Sequence, residues 1–312
     1  MRVIDLHCDT LYKKSIDNIP LDSTENECRL CDDKNGSKLQ CYAIWLPDNL
    51  SGNEAEALFF KASGDLVSEC ERLGISLLKR GEKLKQAFLN NRNTAFFTVE
   101  NSTALNGKLE NVKKFAALGV RMMTLTWNDE NPVGGGVESG NNTGLTGFGR
   151  QAVREMENNG IVVDISHASQ KLFYDVAERA TRPFAASHSN AFSVTRHKRN
   201  LTDEQFKIIA ENRGIVGLNF HNAFLNNNPE NACVTDILRH AEHFLSLGGE
   251  NAVCFGSDFD GGVLPADIKN SFVYAGIYEL MLKHGYSEAL VKKIFYLNAL
   301  NFYENFDNQR IM

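Results

Sequence analysis

The stretch VIDLHCDT, residues 3–10, opens apolar with Val3, Ile4 and Leu6 and then sets His7 and Asp9 two positions apart. Successive side chains of a strand point to opposite faces, so His7 and Asp9 share one face and can grip a common object, a metal ion being the obvious candidate. Taken alone, the pair also fits a solvated strand end. The two readings separate only if the pattern, an apolar run closed by polar residues, recurs along the chain.

It recurs in eight runs: Val3–Asp9, Gln40–Leu46, Ala95–Glu100, Val120–Trp127, Ile161–His167, Pro183–His188, Ile215–Phe220 and Ala252–Asp258. Segments of helical spacing lie between them, such as Leu58, Ala62 and Leu66, and Phe148, Ala152 and Met156. Thr202 is a fitting N-cap for a helix with Asp203 and Glu204 in its first turn, while Gly160, Gly214 and Gly248-Gly249 stand where helices should end. Helical segments near 269–284 and 287–301 close the chain. Strands and helices that alternate in this way, with nearly continuous apolar strands, predict an α/β fold of the (β/α)8 TIM-barrel type; a doubly wound open sheet is the runner-up. No Pro-, Gly- or Ser-rich linker marks a boundary, so residues 1–312 are expected to form a single barrel domain with C-terminal helices.

Composition narrows the function. The chain of 312 residues is 43% hydrophobic with a net charge of −6, and it lacks the basic patch of a nucleic-acid binder. No apolar segment reaches membrane-spanning length and no signal-peptide pattern opens the chain, so the expectation is a cytoplasmic protein with a small-molecule partner. Seven scattered cysteines suit reduced thiols, and Cys28-x-x-Cys31 sits in a charged stretch with Arg29, Asp32 and Asp33, unlike a zinc ribbon. The glycines at 134–136 and 140 follow the fourth run without a Gly-x-Gly-x-x-Gly pattern and suggest an active-site loop, not a nucleotide cradle.

In a barrel the C-terminal strand ends surround one mouth. The polar run ends would then converge: His7 and Asp9 from the first run, Glu100 from the third, Asp164 and His167 from the fifth, His188 from the sixth, Asp258 and Asp260 from the eighth. One such residue is easily a helix cap or a core histidine; this many at the same position call for a divalent metal site. Imidazoles mixed with carboxylates suit zinc or another divalent transition metal, and no thiolate cage of a closed structural zinc is present. Two ions need a bridging ligand, and the fourth run, Thr124-Leu125-Thr126-Trp127-Asn128, has no lysine to carry a carbamate, which leaves Glu100. His240 and His243, three apart on a helix, read as a solvated face; His284 lies near a helix end and His221 just past the seventh run.

Several of these motifs, taken in order, resemble the membrane (renal) dipeptidase family of zinc peptidases, among the amidohydrolase-type barrels: DLHCDT (5–10), TVE (98–100), VRMMTLTWN (120–128), GLTGFGRQAVREMENNGIVVDISHAS (144–169), SHSN (187–190), RHKRNLTDEQ (196–205), GIVGLNF (214–220) and GSDFDG (256–261). The resemblance implies two Zn²⁺ ions per chain, with His7 and Asp9 on the first, Glu100 bridging both, and His167 and His188 on the second. It implies that Arg199 holds a substrate carboxylate or the developing oxyanion, and that Asp258 handles the substrate amine and protons. It also implies a metal-bridging hydroxide that attacks the peptide bond of a dipeptide, L-D as well as L-L, and a homodimer as the expected assembly. Two positions depart from the pattern. Trp127 stands where mammalian members have a histidine, and is expected to bind substrate as a pocket wall; Asn101-Ser102-Thr103 follow Glu100 where glycines are usual. Alternatives are a dimetal hydrolase of N-acyl amino acids, lactones or other small amides, and a ligand-binding barrel without turnover.

Overall fold

The computed structural model describes residues 1–29, 37–82, 84–89 and 93–308. Its strands are β1 (Arg2–Cys8), β2 (Ser37–Trp45), β3 (Ser76–Leu77), β4 (Thr94–Glu100), β5 (Val120–Thr124), β6 (Val162–Asp164), β7 (Ala185–Ala186), β8 (Ile215–Leu218) and β9 (Val253–Phe255). All ladders are parallel. β2 pairs with both β1 and β4, and β9 with both β8 and β1, so eight strands close into a ring in the order β1-β2-β4-β5-β6-β7-β8-β9. Each of the eight sequence runs supplies one ring strand. β3 was not anticipated: it adds two residues to the outside of β4, too few for a period-2 pattern to register.

Alternation along the strands sorts the apolar side chains into two layers. Ile4, Leu6, Leu39, Cys41, Phe96, Met122, Val162, Ala185, Ile215 and Cys254 form one buried cluster with residues of the helix Asn298–Asn308, among them Leu300, Tyr303 and Phe306. Val3, Tyr42, Phe97, Met123, Val163, Val216 and Phe255 belong to the other, larger cluster between ring and outer helices. The C-terminal helix thus plugs the end of the barrel where the strands start. Arg121, 1% exposed on β5, spans both Asp307 carboxylate oxygens (2.9 and 2.8 Å) from beneath.

The helices Gly52–Leu73 and Asp203–Glu211 begin with capping boxes, Ser51 with Glu54 and Thr202 with Gln205. The helix Gly147–Asn159 ends at Gly160 in the left-handed conformation, as expected; after Asp203–Glu211 that conformation falls on Arg213 and not on Gly214. The closing segment is helical at Val273–Lys283 and Glu288–Lys292, then runs through a π-turn at Lys293–Leu297 into the plug helix. Cys8, Cys28, Cys41, Cys233 and Cys254 are free thiols. Cys28 is buried against Gln40, while Cys31, Asp32 and Asp33 lie outside the described residues. No helix among the described residues is long and apolar enough to cross a membrane.

Phe96 packs edge-on to Tyr303 with ring centroids 4.7 Å apart, at the seam between ring and plug. Phe96→Ala should therefore destabilise the fold by about 3–5 kcal/mol in urea unfolding. A loss under about 1 kcal/mol would contradict a sealed interior.

Candidate metal centre and substrate cleft

The strand ends opposite the plug carry the polar residues. On β4, Phe96, Thr98 and Glu100 share the inward face, so alternation alone lifts Glu100 to the mouth. β1 needs a further device. Asp5 pairs with Gln40 but Cys8 with Tyr42, three residues against two, and this bulge brings His7 to the mouth directly after inward-facing Leu6. β6 and β7 are shorter than the sequence runs suggest, because residues beyond Asp164 and Ala186 leave the ladder for turns that aim His167 and His188 inward.

Glu100 divides its two oxygens. Oε2 lies 3.6 Å from His7 Nε2, while Oε1 lies 2.8 Å from His167 Nε2 and 3.6 Å from His188 Nε2. Asp9 Oδ2 and Asp258 Oδ1 approach His7 Nε2 at 3.4 and 3.8 Å, His167 and His188 bring their Nε2 atoms to 3.0 Å, and the His7 ring stacks on His188 at 3.9 Å. The cluster breaks down into three overlapping trios, His7/Asp9/Glu100, Glu100/His167/His188 and His7/His188/Asp258, each with its ligand atoms within 4.8 Å of one another. All five expected metal ligands are thus brought together and buried. His7 Nε2 and Asp9 Oδ1 are buried with no hydrogen-bond partner among the described residues, a costly state for polar atoms that a cation between them would relieve. The donor set, imidazole and carboxylate without thiolate, fits a divalent ion of the zinc type.

Outer partners hold these ligands by a motif used twice. Asp5 Oδ1 accepts from His7 N (3.3 Å) and Ser257 N (2.9 Å), and its Oδ2 from the Ser257 and Tyr274 hydroxyls, both at 2.6 Å. Asp164 Oδ1 accepts from Ser166 N (3.0 Å) and Ser187 N (2.9 Å), and its Oδ2 from the Ser187 hydroxyl (2.5 Å) and the Thr124 hydroxyl (2.7 Å). Ser187 Oγ in turn meets His188 Nδ1 at 2.7 Å, and Asn128 Oδ1 meets His167 Nδ1 at 2.9 Å. Asp164, legible in the sequence as a polar run end, is therefore a brace and not part of the ligand trios.

Charge is unevenly distributed across the cluster. Burial pushes the His7 imidazole down, but Asp9 and Glu100 beside it outweigh that and raise it well above the usual histidine range. Burial, then the Glu100 charge, raise Asp9. Burial also pushes Glu100 upward, yet His7 and His167 together pull it below the ordinary carboxylate range. His167 is pushed down to about 4, by burial first and then by Arg199, so it is neutral at pH 7, the form that ligates a metal. Strain accompanies charge: His167, Asp258 and Asp260 hold φ of 65°, 65° and 67°, unfavourable for residues with a Cβ. At Gly261 a Cβ would lie 2.0 Å from Asp9 Oδ2 and 2.6 Å from Asp258 Oδ1, so only glycine admits the turn that brings these carboxylates together.

Above the cluster opens a cleft of about 520 Å³, of ordinary size for a small-ligand site. Arg199 reaches it from beyond β7, buried over the Phe224 ring; its Nη2 donates to His188 O (3.4 Å) and its Nε has no partner among the described residues. Burial lowers its guanidinium to about 10, still cationic at neutral pH. Asp258 Oδ2 accepts from Asn219 Nδ2 (3.0 Å). Trp127 lines the wall beside Trp45 and Tyr12, and His197, His221 and Glu138 line it elsewhere. Asp260 reaches the floor but is committed to Thr10 (2.6 Å) and Lys13 (2.5 Å). Asn101, at φ 78°, caps a short 3₁₀ turn and bonds Leu46 O and Asp48, giving the loop after Glu100 a polar anchor. His240 corrects the reading of a solvated face: it is fully buried, with Ala191 N donating to Nδ1 (3.0 Å) and Nε2 on Leu225 O (3.0 Å), while His243 pairs with Asp203 (2.7 Å).

The family model of membrane dipeptidases, peptidase family M19, matches residues 1–310. The chain belongs to this family. It is a metal-dependent dipeptidase, a hydrolase. Among solved structures it superposes on a metallopeptidase of family M19, dipeptidase AC, with a TM-score of 0.91 at 28% identity, covering 99% of each chain. It also superposes on a metallopeptidase from Rhodobacter sphaeroides bound to a phosphinate mimic of the dipeptide L-Ala-D-Ala, with a TM-score of 0.90 at 26% identity, covering 97% of this chain and 99% of that one. An uncharacterised protein from the pqqA 5′ region of Klebsiella pneumoniae is 32% identical over 216 residues, 66% of this chain and 80% of that protein.

The outer partners of the dipeptidase were the part that sequence reasoning missed. Their only signal was a serine directly before a site residue in both Ser187-His188 and Ser257-Asp258. Ser187→Ala frees the His188 ring and should lower divalent metal affinity about 10–100-fold in a chelator competition, with little change in helical circular dichroism. An imidazole ligates a metal only when deprotonated, and the His7 proton is held more tightly than usual, so a metal bound there must expel it. Affinity should rise steadily from pH 6 to pH 8, and a flat profile would contradict the charge balance described above.

Proposed function

We propose that the chain hydrolyses dipeptides, L-D as well as L-L, with two zinc ions held by His7, Asp9, Glu100, His167 and His188 and shared through Glu100. The observation that carries this reading is the division of Glu100, one oxygen toward His7 and the other toward His167 and His188. Bound there, zinc would polarise the scissile carbonyl and provide a deprotonated water as nucleophile near neutral pH.

The protein's own groups supply the rest. Arg199 presents an Nε–H with no partner among the described residues, on a planar fork that matches a carboxylate, and its charge persists at neutral pH. Asp258 keeps Oδ2 on Asn219 and leaves Oδ1 beside His7, where it can take a proton from the nucleophile and deliver it to the departing amine. The same carboxylate suits the free ammonium of a dipeptide. With Arg199 offering an anion site and Asp258 a carboxylate in the same cleft, the site favours a substrate charged at both ends. The dipeptide-mimic ligand of the Rhodobacter sphaeroides relative supports a small peptide of this kind.

The test is hydrolysis of L-L and L-D dipeptides, their N-acetylated forms and N-acyl amino acids by zinc-reconstituted protein, with chelator-treated protein alongside. The reading requires cleavage of free dipeptides that chelation abolishes and acetylation blocks. Turnover of acylated substrates alone would reassign the site to amino-acid deacylation.

A further inference from the structure

One wall of the cleft is aromatic. Tyr12, in the helix Thr10–Asp17 that follows β1, packs on Trp45 at the end of β2 with ring centroids 4.8 Å apart. Trp45 meets Trp127 beyond β5, edge to face, also at 4.8 Å, and Trp127 stands 6.1 Å from His167. The three rings form a continuous half-buried surface from the rim to the ligand cluster, and all three line the cleft. In the ring order, β2 lies four strands from β7 and therefore diametrically across the barrel from it. Arg199 comes from the loop after β7 and rests on Phe224, beyond β8. A dipeptide whose carboxylate reaches Arg199, whose scissile bond lies over Glu100 and whose ammonium stays beside Asp258 has room to turn its amine-terminal side chain toward Trp45 and Trp127 in the same cleft.

We propose that Trp127, Trp45 and Tyr12 determine specificity, selecting dipeptides whose amine-terminal residue carries a large apolar, above all aromatic, side chain. This rests on the dipeptidase reading with Arg199 at the carboxylate end. Aromatic rings at this spacing offer stacked and edge-on places for another ring and bury aliphatic groups equally well. The nearby charges are mostly committed: Lys13 is tied to Asp260, and Asp9 and Glu100 face His7. Among the described residues of the cleft, Glu138 is paired with Lys198, which leaves Asp17, exposed at the rim, to offer a carboxylate to a basic side chain.

The chain contains only two tryptophans, Trp45 and Trp127, so its intrinsic emission reports on this wall. The experiment compares kcat/KM of the zinc-loaded enzyme for Phe-Gly, Leu-Gly, Gly-Gly, Arg-Gly and Gly-Phe, together with fluorescence titration by amide-reduced, uncleavable analogues of Phe-Gly and Gly-Gly. Phe-Gly is expected to exceed Gly-Gly and Gly-Phe by about tenfold or more, and its analogue alone to shift the emission at low concentration. Trp127→Ala should bring the Phe-Gly to Gly-Gly ratio within about threefold while Trp127→Phe keeps most of it; Tyr12→Ala, nearer the rim, lowers the ratio too and serves if Trp127→Ala does not fold. Arg-Gly as the best substrate, or a ratio indifferent to both alanine variants, overturns the proposal. If no dipeptide is cleaved, the dipeptidase reading falls, and the fluorescence titration still decides whether the wall takes an aromatic side chain.

Discussion

The site depends on two buried carboxylates that bind no substrate. Asp5 and Asp164 each accept four hydrogen bonds: from a backbone N–H two residues ahead, from the backbone and hydroxyl of a serine on the next strand of the ring, and from one further hydroxyl. Hydrogen bonds to charged acceptors are short and individually worth about 1.5–3 kcal/mol. Each brace thus locks two neighbouring strand ends at the point where the ladder stops. One fixes His7 against Asp258, the other the turns of His167 and His188. Without such bracing, strands of two and three residues could not hold imidazoles to the tolerance a metal requires.

What the braces hold in place is an unfavourable arrangement for protein groups alone. Three imidazoles and three carboxylates are packed away from water, two of their polar atoms have no partner among the described residues, and His167 and Asp258 sit in the left-handed region. Such strain and desolvation persist where the surroundings over-determine them, and here their common remedy is positive charge at the centre. Glu100 links the two halves because alternation on the long strand β4 carries it inward between the braced groups. The cleft above then takes its character from a guanidinium beyond β7 and an aromatic wall built from residues beyond β1, β2 and β5.

Much of this was legible in the residues. Eight apolar runs with polar ends predicted the ring and the mouth, and His7, Asp9, Glu100, His167, His188, Arg199 and Asp258 all meet there. The shortfalls share a physical origin, since each depends on partners distant in sequence. His240 looks solvated on a helix whose spacing leaves its face ambiguous, yet it is buried because Leu225 and Ala191 come to it. Asp164 and Asp260 resemble ligands by position but are satisfied by hydroxyls and a lysine from other strands and helices.

The sequence by itself determined the barrel, the end at which the site lies and the residue types gathered there, because period, run length and strand-end polarity are local properties of the chain. The tertiary structure alone decided the bulge that turns His7 inward, the paired braces, the division of Glu100 between two groups of histidines, and the union of Tyr12, Trp45 and Trp127 into one wall. Those outcomes rest on closing the ring, which brings residues as far apart as Asp5 and Ser257 to 2.6 Å. No local pattern encodes a distance that only closure creates.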